Sequence, residues 1–245
     1  MIRTEHFSLS VKGSESLVND DYVCAEPQLG LFVVADGMGG RPGGRQASSL
    51  AVRTFVHCLE QLLAESSSDE EALRTSVAQA NTEVFAISQS DPEVTGLGTT
   101  LSALLVKCGK GIVTHVGDSR IYLYRAGALA QLTDDHTLIA ELVRRHHVSP
   151  EGAKTHALRN LLSRSVGTNE TIDAEINDVE LVPEDRVILA TDGLTKCLED
   201  SQLAELLKNS QRRDAESTCH AIVDVATQRI PLDDVTTVVV DIKEQ

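Results

Sequence analysis

Four aspartate-bearing stretches of this 245-residue chain abut apolar runs. Leu31 to Ala35 leads into Asp36-Gly37, and Val187 to Thr191 leads into Asp192-Gly193. Asn19-Asp20-Asp21 precedes Tyr22 to Ala25, and Asp233-Asp234 precedes Val235 to Ile242. Carboxylate, carbonyl and water oxygens form the donor set that hard divalent ions such as Mg²⁺ or Mn²⁺ take, with no soft ligand required. Such acids are costly neighbours without cations: two like charges ~4 Å apart repel by about 4 kcal/mol at an effective dielectric near 20. Gly37 and Gly193 each follow an acid, and glycine permits the close approach that a ligating backbone carbonyl needs. An Asp-Gly pair behind a strand is also an ordinary turn. Spacing alone therefore leaves both readings open, simple turns or a cation site.

The elements that would position these acids can be read from periodicity. Tyr22 to Ala25 and Leu31 to Ala35 form a hairpin around Glu26-Pro27-Gln28-Leu29-Gly30, which places Asp21 opposite Asp36. The open end of that hairpin carries Asp20, Asp21, Asp36 and the Gly37 carbonyl. Beyond the glycine-rich loop 37–44, helical spacing links Ala47, Leu50, Ala51, Phe55, Cys58, Leu59 and Leu62, and then Leu73, Val77, Ala80, Val84 and Ile87. A meander follows, with strands Thr99 to Val106, Ile112 to Val116 and Arg120 to Tyr124 and a turn over 107–111. Residues 134–165 are polar and read as a short helical insertion. Val187 to Thr191 is a strand, Leu203 to Leu207 and Ala215 to Ala226 are helices, and Val235 to Ile242 closes the chain. Strands and helices in blocks, rather than in strict alternation, point to an α+β fold of antiparallel sheets covered by helices. In an antiparallel sheet the end of one strand lies beside the start of the next, so Asp20, Asp36, Asp192 and Asp233 can share one edge.

Composition narrows the function classes. Acidic residues outnumber basic ones 37 to 22, giving a formal charge of −15 without a basic run, which argues against nucleic acid as a partner. Aromatics are 3 % and Trp is absent, so the core is built from Val, Leu, Ile and Ala. The five cysteines form no CxxC pair and fit a reducing compartment better than a disulfide frame. Residues 1–12 lack the apolar stretch of a signal peptide, and no apolar run has membrane-spanning length. A cytoplasmic, membrane-free monomer is the expectation.

Seven motifs in order make the chain resemble the metal-dependent protein phosphatases, the type 2C serine/threonine phosphatases of compact bacterial type. They are Asn19-Asp20-Asp21, Val34-Ala35-Asp36-Gly37-Met38-Gly39-Gly40, Gly98-Thr99-Thr100, His115 to Arg120, Leu132 to His136, Thr191-Asp192-Gly193 and Asp233-Asp234-Val235-Thr236. The resemblance implies one catalytic domain over 1–245, an αββα sandwich of two antiparallel sheets flanked by helices, with 134–165 as a flap beside the site. It implies that Asp36 bridges two Mg²⁺ or Mn²⁺ ions, that Asp192 and Asp233 complete one, and that Asp20 and the Gly37 carbonyl hold the other. Asp21 would fix metal-bound water, and Asp118 would ligate a third, weaker metal. Ser119 and Arg120 would support the strand turn.

The implied chemistry is hydrolysis of phosphoserine and phosphothreonine in protein substrates, opposing a serine/threonine kinase. A metal-bridging hydroxide would attack phosphorus directly, with no phospho-enzyme. The chain departs from the family pattern twice. Ser16 stands where the family places a phosphate-clamping Arg, and Arg41 stands where bacterial members have a His implicated in protonating the leaving group. Arg41 is a candidate phosphate ligand because its guanidinium suits bidentate contact, and His136 and His156 are candidates for the proton donor. These departures keep a second function open, a pseudophosphatase that serves as a regulatory binding module.

Overall fold

The continuous apolar runs require cover on both faces, and the fold supplies it. The computed structural model describes residues 2–38, 43–65, 68–90 and 96–245; Arg41 lies outside them. The strands are β1 (Ile2–Val11), β2 (Asp21–Glu26), β3 (Leu31–Met38), β4 (Gly98–Thr99), β5 (Leu101–Lys107), β6 (Lys110–Val116), β7 (Arg120–Arg125), β8 (Ala128–Gln131), β9 (Glu175–Glu180), β10 (Arg186–Ala190) and β11 (Val235–Glu244). The helices are α1 (Gly43–Ala64), α2 (Asp69–Ser90), α3 (Leu138–Arg144), α4 (Pro150–Lys154), α5 (Asp192–Cys197), α6 (Asp200–Asn209) and α7 (Ala215–Gln228).

One sheet has the order β1-β11-β10-β7-β8, and the other β2-β3-β5-β6-β9 with β4 beside β3. Every strand pairing is antiparallel. Side-chain alternation sorts each central strand between two cores. In β3, Leu31, Val33 and Ala35 pack under α1 and α2 with Phe55, Leu59, Leu73 and Val77. Phe32 and Val34 face the other sheet, where they meet Leu189, Val238 and Val240. On that sheet's outer face, Ile188, Ala190 and Val239 pack against Leu203, Leu207 and Ile222 of α6 and α7. The layers are helix, sheet, sheet, helix, as the αββα expectation requires.

The structure adds what periodicity did not reveal. β1 and β9 were not anticipated, and each is an edge strand with a mostly half-covered surface. The turn expected over 107–111 is tighter: Cys108 and Gly109 have φ of 52° and 82°, which suits a two-residue hairpin loop and lets Lys107 pair with Lys110. The strand before Asp192 ends at Ala190, and Asp192 is the first residue of α5 behind the N-cap Thr191. Within 134–165, Thr137 caps α3 through the Ala140 N–H, and Ser149 caps α4 through the Gly152 N–H.

Candidate metal centre

The β2–β3 ladder pairs Asp21 with Asp36, the register expected from the turn at 26–30. The backbone of Asp36 is fixed from both sides. Its N–H donates to Thr100 Oγ1 at 2.9 Å, and its carbonyl accepts the Thr99 hydroxyl at 2.8 Å and the Thr100 N–H at 2.9 Å. Thr100 Oγ1 lies 2.7 Å from Ser119 Oγ. The Gly98-Thr99-Thr100 and Asp118-Ser119 motifs therefore brace Asp36 from neighbouring strands.

Thr191 joins the two sheets at this end. Its hydroxyl donates to Asp21 Oδ2 at 2.8 Å and accepts the Thr236 N–H at 3.0 Å. Asp192 follows directly, so the tie that holds Asp21 also sets the start of α5. Asp234 makes a second tie. Its buried carboxylate accepts the Gly13 N–H at 2.8 Å and the Asp20 N–H at 2.6 Å, fixing the segment before β2 to the segment before β11. Arg45, at the start of α1, donates its N–H to Asp20 Oδ1 at 2.9 Å and a guanidinium N–H to the Asp21 carbonyl. A negative group at a helix N-terminus is a favourable pairing.

Two glycines make these approaches possible. A Cβ on Gly37 would strike the Gly44 carbonyl and come within 2.8 Å of the Asp20 carbonyl oxygen. A Cβ on Gly193 would strike the Asp234 carbonyl oxygen. Neither position tolerates a side chain without moving backbone.

The acids press one another toward neutrality. Burial pushes the Asp36 carboxyl well above the usual range, and Asp192, Asp21, Asp233 and Asp118 add to the push. Asp21 is raised well up, chiefly by burial. Burial also raises Asp192, and Lys196 partly offsets that push. Burial pushes Asp118 up to about 7, with Asp192 and Asp135 contributing. Asp20 is raised less crowdedly, by burial first. Asp20, Asp21, Asp36, Asp118, Asp192 and Asp233 thus belong to one electrostatic neighbourhood.

The donor chemistry fits hard divalent ions. Every candidate ligand is an oxygen, and two carboxylate oxygens in the cluster, Asp21 Oδ1 and Asp192 Oδ1, are buried without any hydrogen-bond partner. A buried, unpartnered carboxylate oxygen is costly unless a cation meets it. Among the described residues, no three acidic, His or Cys donors close on a single point. The cation that touches them here is Lys196, whose Nζ lies 2.5 Å from Asp192 Oδ2 and 2.8 Å from Asp233 Oδ2.

Other candidates fall in different roles. His136 is buried, accepts the Gly117 N–H on Nδ1 at 3.2 Å and stacks on His115 with ring centroids 4.7 Å apart. Burial, then the neighbouring His136, lowers the His115 imidazole to about 4. The pair braces the β6–β7 turn and has no open face for a leaving group. His156 accepts the Leu158 N–H on Nδ1 inside the insertion. Arg120 grips Asp135 with two hydrogen bonds, at 2.8 and 2.6 Å, which ties the start of the insertion to β7. Thr191, Asp234, Arg45 and Lys196 were missed. Lys196 sits at i+4 from Asp192, a pairing that signals itself only once α5 is recognised as a helix.

Comparison with known proteins agrees with this geometry. Residues 12–229 match the model of the protein phosphatase 2C family. The chain belongs to that family, the metal-dependent serine/threonine protein phosphatases. It is 33 % identical over 183 residues to the serine/threonine phosphatase stp of Listeria monocytogenes, covering 74 % of this chain and 73 % of that one. The crystal structure of the Mycobacterium tuberculosis serine/threonine phosphatase PstP/Ppp superposes with a TM-score of 0.87 at 31 % identity, over 100 % of both chains. A PstP catalytic domain in complex with two manganese ions gives a TM-score of 0.87 at 30 % identity, again over 100 % of both chains. These relatives are named as phosphatases and lend the binding-module alternative no support.

Proposed function

We propose that the chain hydrolyses phosphoserine and phosphothreonine in protein substrates at a centre held by Asp20, Asp36, the Gly37 carbonyl, Asp192 and Asp233. The observation that carries this reading is the convergence of Asp21, Asp36 and Asp192 with two orphaned, buried carboxylate oxygens among them. A bound pair of Mg²⁺ or Mn²⁺ ions supplies a nucleophile from water near neutral pH and offsets charge on the phosphoryl oxygens.

The chain's own residues do the rest. Asp36 is held rigid by Thr99 and Thr100, so its carboxyl is presented without reorganisation. Asp21, fixed by Thr191, orients water at the inner side of the centre, a supporting role of the kind that tunes metal sites. Arg41 contacts the substrate phosphate in this reading. Residues 134–165 act as the flap: Asp135, Thr137, Lys154, Arg159 and Asn160 line one wall of a cleft of about 780 Å³ whose other wall holds Asp118, Asp192 and Asp233. Phosphorylated proteins enter that cleft, and a serine/threonine kinase opposes the reaction. No described helix is long and apolar enough to cross a membrane.

The test is release of phosphate from a phosphothreonine peptide. The reading expects turnover with Mn²⁺, none with EDTA, and none in Asp36→Asn or Asp192→Asn. Turnover that survives either substitution would exclude it. For Arg41→Ala the expected result is a higher KM; unchanged kinetic constants would remove Arg41 from the site.

A further inference from the structure

Lys196 lies on α5 one turn beyond Asp192, and its ammonium bridges Asp192 Oδ2 and Asp233 Oδ2 at 2.5 and 2.8 Å. The remaining oxygens of these acids are differently placed. Asp192 Oδ1 is buried and unpartnered, while Asp233 Oδ1 accepts the Asp234 N–H at 3.0 Å. Lys196 therefore meets Oδ2 of both acids and leaves Asp192 Oδ1 without a partner. Lys196, Asp118 and Asp192 line the same cleft, and the Lys196 charge is felt at Asp118 as well as at Asp192.

We infer that Lys196 is a resident cation of this centre: it clamps Asp192 and Asp233 through their Oδ2 atoms and fills the edge toward Asp118, so that the site takes two divalent ions and refuses a third there. This rests on the two-metal reading above.

Three physical points support it. Exposed lysine pairs contribute little because solvent screens them; that applies to the Asp233 arm, where the side chains are 39 % and 44 % exposed, but less to the Asp192 arm, whose carboxylate is only 15 % exposed. An ammonium is a compact point charge on a long stem, able to touch two carboxylates that approach from α5 and from the start of β11. A divalent ion placed between Asp118 and Asp192 would have to sit close to that ammonium, and Coulomb repulsion opposes it.

Equilibrium dialysis against Mn²⁺, with the full chain, measures ions bound per chain at saturation. The expected result is two for the wild type and two for Asp118→Asn. Lys196→Met should rise to three, and the added ion should disappear in Lys196→Met/Asp118→Asn. The inference is overturned if the wild type binds three and Asp118→Asn removes one, or if Lys196→Met stays at two. Lys196→Gln is the second variant should Lys196→Met fail to fold, and a third ion in the wild type that Asp118→Asn removes overturns the inference without either. A wild type that binds no Mn²⁺ would instead sink the two-metal reading on which this rests.

Discussion

Asp21 and Asp36 are register partners across the β2–β3 ladder, and Thr191 holds Asp21 Oδ2 from the opposite sheet at 2.8 Å. The pairing sets two acids face to face at the end of the sandwich where Asp192 and Asp233 also arrive. Such an arrangement costs stability unless cations or protons neutralise it. Function and stability therefore pull apart at Asp36.

Asp36→Asn separates them. The variant should lose Mn²⁺-dependent turnover, and its metal-free form should be more stable than the metal-free wild type at pH 8. For a chain of this size each kcal/mol is worth ~2–4 °C in Tm, so thermal unfolding in EDTA resolves the gain. A lower metal-free Tm in the variant would show that Asp36 is not a repelled carboxylate.

The metal-free protein should lose stability as pH rises. Asp21, Asp36 and Asp118 all have folded pKa values above the ordinary carboxylate value, Asp118 at about 7. The folded state then binds more protons than the unfolded chain between about pH 4 and pH 7, so the slope of stability against pH is negative there. Tm in EDTA should fall from pH 5 to pH 8. Mn²⁺ affinity should move the other way, rising over the same window, because ligation requires the ionised carboxylates. A flat Tm profile in EDTA would contradict the crowding of these acids.

Asp234 touches no substrate, yet it holds the Gly13 and Asp20 N–H groups. Asp234→Ala should weaken Mn²⁺ binding by roughly 10–100-fold, the usual loss when a group behind a ligand is removed. It should also cost about 1–3 kcal/mol for the two stranded donors. Calorimetric titration with Mn²⁺ checks the first and chemical denaturation the second. Unaltered affinity would mean that Asp20 is positioned by other contacts.

Far from the site, Arg186 and Asp241 form a buried ion pair at 2.5 Å, and Arg186 also donates to the Ser210 and Arg213 carbonyls at 3.0 and 2.8 Å. Asp241→Ala leaves the guanidinium buried and short of a partner, which should cost ~3–5 kcal/mol. Mn²⁺ affinity of the folded fraction should not change. A loss of affinity would indicate that β11 transmits strain to Asp233.

The central strands and most of the acids were legible because both obey short-range rules. Leu31 to Ala35 is apolar without interruption since both of its faces are covered, and the turn at 26–30 fixes the Asp21–Asp36 register. The edge strands β1 and β9 were not legible. Glu175–Glu180 reads Glu-Ile-Asn-Asp-Val-Glu and is half exposed, so it owes its extended form to pairing with β6 rather than to its own pattern. Thr191, Asp234 and Lys196 stayed hidden for a related reason. Each acts through a partner from another element, and nothing in local composition marks a threonine that spans two sheets or a lysine that bridges two acids.

Anomalous diffraction at the manganese edge, from crystals soaked in Mn²⁺, tests the central claim most directly. The account expects two manganese peaks among Asp20, Asp36, Asp192 and Asp233, with Asp36 touching both. Ordered crystals at saturating Mn²⁺ with no peak in that cluster, or with peaks only elsewhere on the surface, would contradict it.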